Sequence, residues 1–234
     1  MTQTSVRENL LRIQEKIAGA AARAGRRVDE ITLIGVSKTH PASTIHEGYE
    51  AGVRHFGENR VQEWEGKRAG TGGLEGTWHL IGHLQSNKAA RAARLFHSVD
   101  SIDDFGVAQR LERTRAEAGI AGKLRVLIEV RVAPEEAKSG VEISELAALA
   151  EKVVELPGLE LAGLMCIPPF LEKTEQVRPY FRRLRELRDE LTRKLGVALP
   201  VLSMGMSHDF EVAIEEGATE VRVGTALFGA RDVR

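Results

Sequence analysis

Short apolar or β-branched runs return along the chain at residues 32–38, 55–59, 77–84, 95–101, 124–132, 159–167, 201–207 and 220–228. Each has the length of one strand. Between them, apolar residues recur at three- and four-residue spacing, as in Ile143, Leu146, Ala147, Ala150, Val153 and Val154, or Phe181, Leu184, Leu187, Leu191 and Leu195. Such stripes give a helix one face to bury. Phe210, Ala213 and Ile214 begin another stripe, and Val6, Leu10, Ile13 and Ile17 predict a leading helix that Gly25 ends. Gly52, Gly119 or Gly122, Gly158, Gly196 and Gly217 stand where helices would turn back into strands.

Strands alternating with helices predict a parallel sheet, and eight of them is the number that closes a barrel. The expected fold is therefore α/β, a single (β/α)8 barrel with an extra helix at its start. An open doubly wound sheet is the rival, but it would carry a nucleotide fingerprint after its first strand. Gly35 stands alone there, without G-x-G-x-x-G or a Walker sequence. The eight units use almost all of the 234 residues, so one domain spanning 1–234 is expected.

Composition narrows the classes further. Hydrophobic residues make up 42% and charged residues 29%, and the net charge is −1 with both signs interspersed. No basic stripe offers counterion release to nucleic acid. The longest apolar run, 161–170, holds two prolines and is too short for a bilayer. The first ten residues are polar and lack a signal peptide's apolar core. The one cysteine, Cys166, excludes an intrachain disulfide and fits a reducing compartment; its apolar setting reads as a packed thiol. A cytoplasmic protein without membrane or nucleic-acid partners is expected.

The chemistry begins at Leu33-Ile34-Gly35-Val36-Ser37-Lys38, an apolar strand ending on one lysine. Taken alone, this lysine is either the solvated end of a strand or an amine presented for reaction with a carbonyl. In a barrel the working face lies at the carboxyl ends of the strands, with phosphate sites after the seventh and eighth. Ser203-Met204-Gly205-Met206-Ser207 and Gly224-Thr225-Ala226-Leu227-Phe228-Gly229 fall there, where small residues and hydroxyls let backbone N–H groups approach an anion. The alternative is that those glycines only turn the chain. Arg222 interrupts Val221-Arg222-Val223, on the same face as Gly224. It is either half of an internal salt bridge, with Glu220 or a neighbouring carboxylate, or a partner for a ring nitrogen or an anion. Asn59 ends the second strand and, with Gln62, also fits a helix cap. His79 and His83, four apart on the third run, would lie roughly 13 Å apart along a strand, too far for one metal ion. A strand-end amine, an anion nest and an inward arginine together suit a phosphorylated aldehyde on a heteroaromatic ring, which is pyridoxal 5′-phosphate.

The chain resembles the pyridoxal phosphate homeostasis family, relatives of the alanine racemase barrel. The likeness runs through Val36-Ser37-Lys38-Thr39, Phe56-Gly57-Glu58-Asn59 and Trp78-His79-Leu80-Ile81-Gly82-His83-Leu84-Gln85-Ser86-Asn87-Lys88. It continues through Lys138-Ser139-Gly140, Gly163-Leu164-Met165, Ser203 to Ser207 with Asp209, and Val221 to Gly229. The resemblance implies that Lys38 forms the Schiff base, that Ser203, Gly224 and Thr225 hold the phosphate, that Arg222 meets the pyridine nitrogen, and that Asn59 lies beside the cofactor. Arg131 stands where the family usually has a small or amide residue, and His208 sits inside the Ser207 to Asp209 motif; neither is expected to touch the cofactor.

An arginine, always charged, would keep the pyridine nitrogen unprotonated and weaken the ring as an electron sink. The resembling racemases take their second base from another domain, for which this chain has no residues left. A cofactor carrier that holds, buffers or delivers pyridoxal phosphate to apo-enzymes is expected, with a weak amino-acid racemase as the alternative and no residue named as catalytic. The charged outer faces of the first helix and the 171–195 segment fit a monomer, and Lys138 is a candidate transit site for the cofactor.

Overall fold

The protein is described by a computed structural model covering residues 5–133 and 139–229. Eight strands close a parallel barrel in sequence order: β1 (Thr32–Val36), β2 (His55–Glu58), β3 (Thr77–Leu80), β4 (Ser98–Ile102), β5 (Leu124–Glu129), β6 (Leu159–Met165), β7 (Val201–Met206) and β8 (Glu220–Val223). The helices are α1 (Val6–Arg23), α2 (Ala42–Ala51), α3 (Val61–Arg68), α4 (Ala89–Leu95), α5 (Phe105–Glu117), α6 (Ile143–Val154), α7 (Arg178–Leu195), α8 (Phe210–Glu215) and the one-turn α9 (Thr225–Phe228). The expected barrel and its leading helix are both present. Among the described residues no helix is long and apolar enough to cross a membrane.

α1 starts at a capping box, in which Ser5 accepts from the Glu8 N–H while Glu8 accepts from the Ser5 N–H. It buries Leu10, Ile13, Ile17, Ala20 and Ala21 and packs against α2, α8 and α9. Arg23 fixes its far end to Glu211 and Glu215 on α8. The main apolar core lies between the strands and the helices, where alternate strand residues such as Val126 and Ile128 meet helical stripes such as Leu184, Leu187 and Leu191. Trp64 of α3 stacks on Trp78 of β3 with ring centroids 3.7 Å apart. The sixth strand needs glycine at 163, because a Cβ there would overlap the carbonyl of Val201 on β7.

Inside the barrel the filling is layered. Leu127, Ala162 and Met165 form a small apolar cluster separate from the main core. Toward the amino ends of the strands lies a polar layer, unusual for a barrel interior, which branched apolar residues commonly fill. His55 Nδ1 is 3.1 Å from His79 Nε2, and His79 Nδ1 is 3.0 Å from Asp100 Oδ2. Ser98 donates to the other Asp100 oxygen, and Arg125 pairs with Glu220. An ionised Asp100 only accepts, so His79 Nδ1 donates to it. His79, Asp100 and Glu220 bring donor atoms within 4.8 Å of one another. His79 and Asp100 are hydrogen-bonded to each other and to His55 and Ser98, and Glu220 Oε1 is taken by Arg125, while Glu220 Oε2 has no partner among the described residues. His79 and His83 do not share a strand face, since β3 ends at Leu80 and His83 pairs with Asp103 outside the barrel, at 3.0 Å.

Burial, then the neighbouring His79 and Arg125, push His55 down to about 4. A base with a depressed folded pKa stabilises the fold above its unfolded value, and that contribution is lost as pH falls toward the folded value. Wild type is therefore expected to lose stability relative to His55→Gln as pH drops from about 6.5 to about 4, with little further divergence below. Urea denaturation of both proteins across that window checks it; parallel curves would contradict it.

Candidate functional site

Barrel closure brings the two ends of the chain's chemistry together. β8 pairs with β1 in parallel, with Ile34 beside Arg222 and Gly35 beside Val223. Beyond the carboxyl ends of these strands lies a cavity of about 370 Å³. Lys38, Asn59, Arg222, Gly224 and Thr225, five of the six residues expected at a cofactor site, line it together. A wider depression of about 1010 Å³ lies at the opposite, amino end of β3 to β5, between Trp64, Arg68, Phe96, His97, Arg115 and Lys123, and gathers none of them.

Lys38 stands two residues beyond β1 and is half-buried. Asn59 follows β2 directly and does not cap α3, whose N-cap is Arg60 without a side-chain bond. Helix capping therefore does not account for Asn59. Its backbone is pressed against Gly82, where any Cβ would overlap the Asn59 carbonyl. Gly82 thus lets the loop after β3 close over Asn59.

Arg222 is 3% exposed. It donates from Nη1 to Ser203 Oγ and from Nη2 to the Cys166 carbonyl, each at 2.8 Å. The alternative partner, Glu220, lies one layer deeper and pairs with Arg125 instead. Hydrogen bonds from a charged donor contribute about 1.5–3 kcal/mol each, which offsets part of the cost of burying a guanidinium. The same bond relocates Ser203. Expected at the phosphate, it is fully buried within β7, is absent from the cavity lining and supports Arg222 from behind. Met206 and Ser207, further along, reach the cavity instead. Asp209 accepts from the Met206 N–H at 2.6 Å, and Ser207 Oγ accepts from the Ala226 N–H at 3.4 Å. The loops after β7 and β8 are thereby joined. Burial pushes the Asp209 carboxyl up.

The sequence reading missed Glu129. It ends β5, is buried, and lines the cavity; Oε1 accepts from Ser139 Oγ at 2.9 Å, while Oε2 has no partner among the described residues. Burial pushes this carboxyl up. The signal was available, since Glu129 is a charged residue closing an apolar strand, as Lys38 nearly is. Phe170, 77% exposed at the rim with its ring centroid 5.1 Å from that of His208, gave no such signal. His208, expected to stay clear of the site, lines the cavity, whereas Arg131 turns aside to Glu142 and the Gly140 carbonyl. Lys138 lies outside the described residues.

Residues 6–232 match the sequence profile of the alanine racemase N-terminal domain. The pyridoxal phosphate homeostasis protein of Aquifex aeolicus is 50% identical over 224 residues, covering 96% of this chain and 97% of its own. This chain belongs to the pyridoxal phosphate homeostasis protein family. Among solved structures, PipY of Synechococcus elongatus with PLP bound superposes with a TM-score of 0.81 at 39% identity, covering 91% of this chain and all of PipY. Alanine racemase of Corynebacterium glutamicum shares the fold with a TM-score of 0.69 at 20% identity, and this chain covers only 60% of that enzyme.

Cys166 sits behind this site with its thiol fully buried, and burial pushes its pKa up to about 12. A thiol in that state is not a nucleophile at neutral pH. A disulfide reagent is expected to leave the native protein unmodified and to titrate one thiol per chain once the protein is unfolded in guanidinium. Fast labelling of the native protein would contradict the burial of Cys166.

Proposed function

We propose that this protein is a one-domain, monomeric carrier of pyridoxal 5′-phosphate, which it holds at the barrel mouth and hands to enzymes that lack it. The observation that carries this reading is the convergence of Lys38, Asn59, Arg222, Gly224 and Thr225 on one cavity. Its volume of about 370 Å³ is at the small end of ligand pockets, as suits a single-ring ligand. PipY, whose solved structure has PLP bound, supports the choice of cofactor.

When bound, the cofactor supplies an aldehyde that an amine can capture and a ring that draws electrons from an attached carbon. Lys38 supplies the amine. Gly224 and Thr225, with Ser207 joined to the same turn, supply backbone and hydroxyl donors on the phosphate side. Arg222 uses two of its five N–H donors on Ser203 and Cys166, which leaves the others for the ring nitrogen. A permanently charged guanidinium there holds the ring nitrogen without lending it a proton. Asn59 lines the same cavity and would help to orient the ring.

A weak amino-acid racemase is the second reading, favoured by Glu129. Its carboxyl lies in the same cavity, and burial pushes its pKa up, so it is an acid–base group of the kind a racemase needs beside its lysine. One set of experiments separates the two. Protein loaded with pyridoxal 5′-phosphate is expected to restore activity to a cofactor-stripped aminotransferase, and Lys38→Ala, loaded and desalted in the same way, to restore almost none. In deuterium oxide, the α-hydrogen of alanine is expected to survive with wild type. Failure of transfer would overturn the carrier; sustained exchange lost in both Lys38→Ala and Glu129→Gln would put the racemase in its place.

A further inference from the structure

Directly behind Lys38 the structure sets one cation between two carboxylates. Lys67 of α3 reaches Glu58 Oε1 and Oε2 at 2.9 and 3.0 Å, and Glu63 Oε1 at 2.8 Å. The same Nζ donates to the backbone carbonyl of Ser37 at 2.9 Å. Ser37 Oγ donates to Glu58 Oε1 at 2.7 Å, and the Thr39 N–H donates to Glu63 Oε1. Both neighbours of Lys38 therefore hang on the same three side chains. Glu58 is fully buried and the Lys67 side chain is 12% exposed, so water screens this cluster little.

Thr39 adds a second observation. Its φ of +67° makes it the only non-glycine residue with positive φ among those described. A β-branched residue is a genuine outlier there, and such strain persists only where the surroundings over-determine it. The turn is closed by its own backbone, the His40 N–H donating to the Ser37 carbonyl at 3.1 Å; around it the Lys67 bond holds the peptide before Lys38 and the Glu63 bond the peptide after it. Barrel closure does not require them, because the Ser37 N–H already continues the ladder to the Gly57 carbonyl at 3.0 Å. Nor do they fasten α3 best, since apolar side chains of similar volume often serve stability at least as well as a buried ion pair. What the ions add is direction.

We propose that Lys67, with Glu58 and Glu63, is a positioning residue for Lys38. The clamp holds the backbone turn at Ser37 and Thr39 so that the amine enters the cavity at the angle required to attack an aldehyde carbon. In that condensation the nitrogen bonds to carbon and the carbonyl oxygen leaves as water. The proposal rests on the reading of Lys38 as the cofactor-bearing amine.

The test compares pyridoxal 5′-phosphate with pyridoxine 5′-phosphate, which has a hydroxymethyl group in place of the aldehyde and cannot engage the amine covalently. Lys67→Met and Glu63→Ala are expected to weaken binding of the aldehyde by about tenfold or more and to leave binding of the alcohol unchanged. Glu63→Gln, which still accepts from Thr39, is expected to stay close to wild type. The visible circular dichroism of the bound aldehyde is expected to change in Lys67→Met, because a looser amine holds the ring at a different angle. Equal loss for both ligands would reveal a merely structural role and overturn the proposal, as would an unchanged affinity for the aldehyde. Should Lys67→Met not fold, the two Glu63 variants decide the matter, since that side chain is partly exposed. If wild type and Lys38→Ala bind the aldehyde equally, the reading of Lys38 fails first and takes the clamp with it.

Discussion

The hydrogen-bonded seam between β1 and β8 is the constraint on which the site depends. It pairs Thr32 with Glu220 and Ile34 with Arg222. Strands far apart in sequence become neighbours only when the barrel closes, so Lys38 at one end of the chain and Arg222, Gly224 and Thr225 at the other share a cavity as a consequence of closure. Parallel strands also deliver all their carboxyl ends to one rim. The amine, guanidinium and loop donors therefore converge without any long excursion of the chain.

The interior of the barrel is more polar than the closing of a sheet demands. His79, Asp100 and Glu220 fill its lower part, and Arg222 and Ser203 the part beneath the rim. Each buried polar group needs partners, and a missing partner costs more than a present one contributes. The network consequently fixes rotamers as well as filling space. Arg222 illustrates the gain. It is held by a hydroxyl from β7 and by the carbonyl of the residue that follows β6.

Much of this was legible in the sequence, because period-two and three-to-four spacing report which faces are buried. Seven of the eight strands fall within the runs that predicted them, and β4 extends one residue past its run, to Ile102. Their ends were less legible, since apolar character persists where pairing has stopped. The first run extends to Lys38, but β1 ends at Val36 and the chain turns through Thr39. The last run extends to Phe228, but β8 ends at Val223 and residues 225–228 form a helical turn. Pairwise contacts were the hardest to read. Arg222 and Ser203 were both marked as site residues, yet their bond depends on the β7–β8 register, which shifts between Ser203 and Met206. Glu58, Glu63 and Lys67 look like an ordinary charged stretch until α3 is laid against the end of β1. Glu129 shows the converse, a strand-end charge whose position was readable and whose meaning required the cavity.

On the proposed reading, a lysine held by its neighbours and an arginine that leaves the ring nitrogen unprotonated make the protein a holder of its ligand. The most direct measurement is borohydride reduction of the protein loaded with pyridoxal 5′-phosphate, followed by digestion and mass spectrometry. The account predicts one cofactor-derived mass addition per chain, on the peptide containing Lys38. A label on another lysine, or none at all, would contradict it.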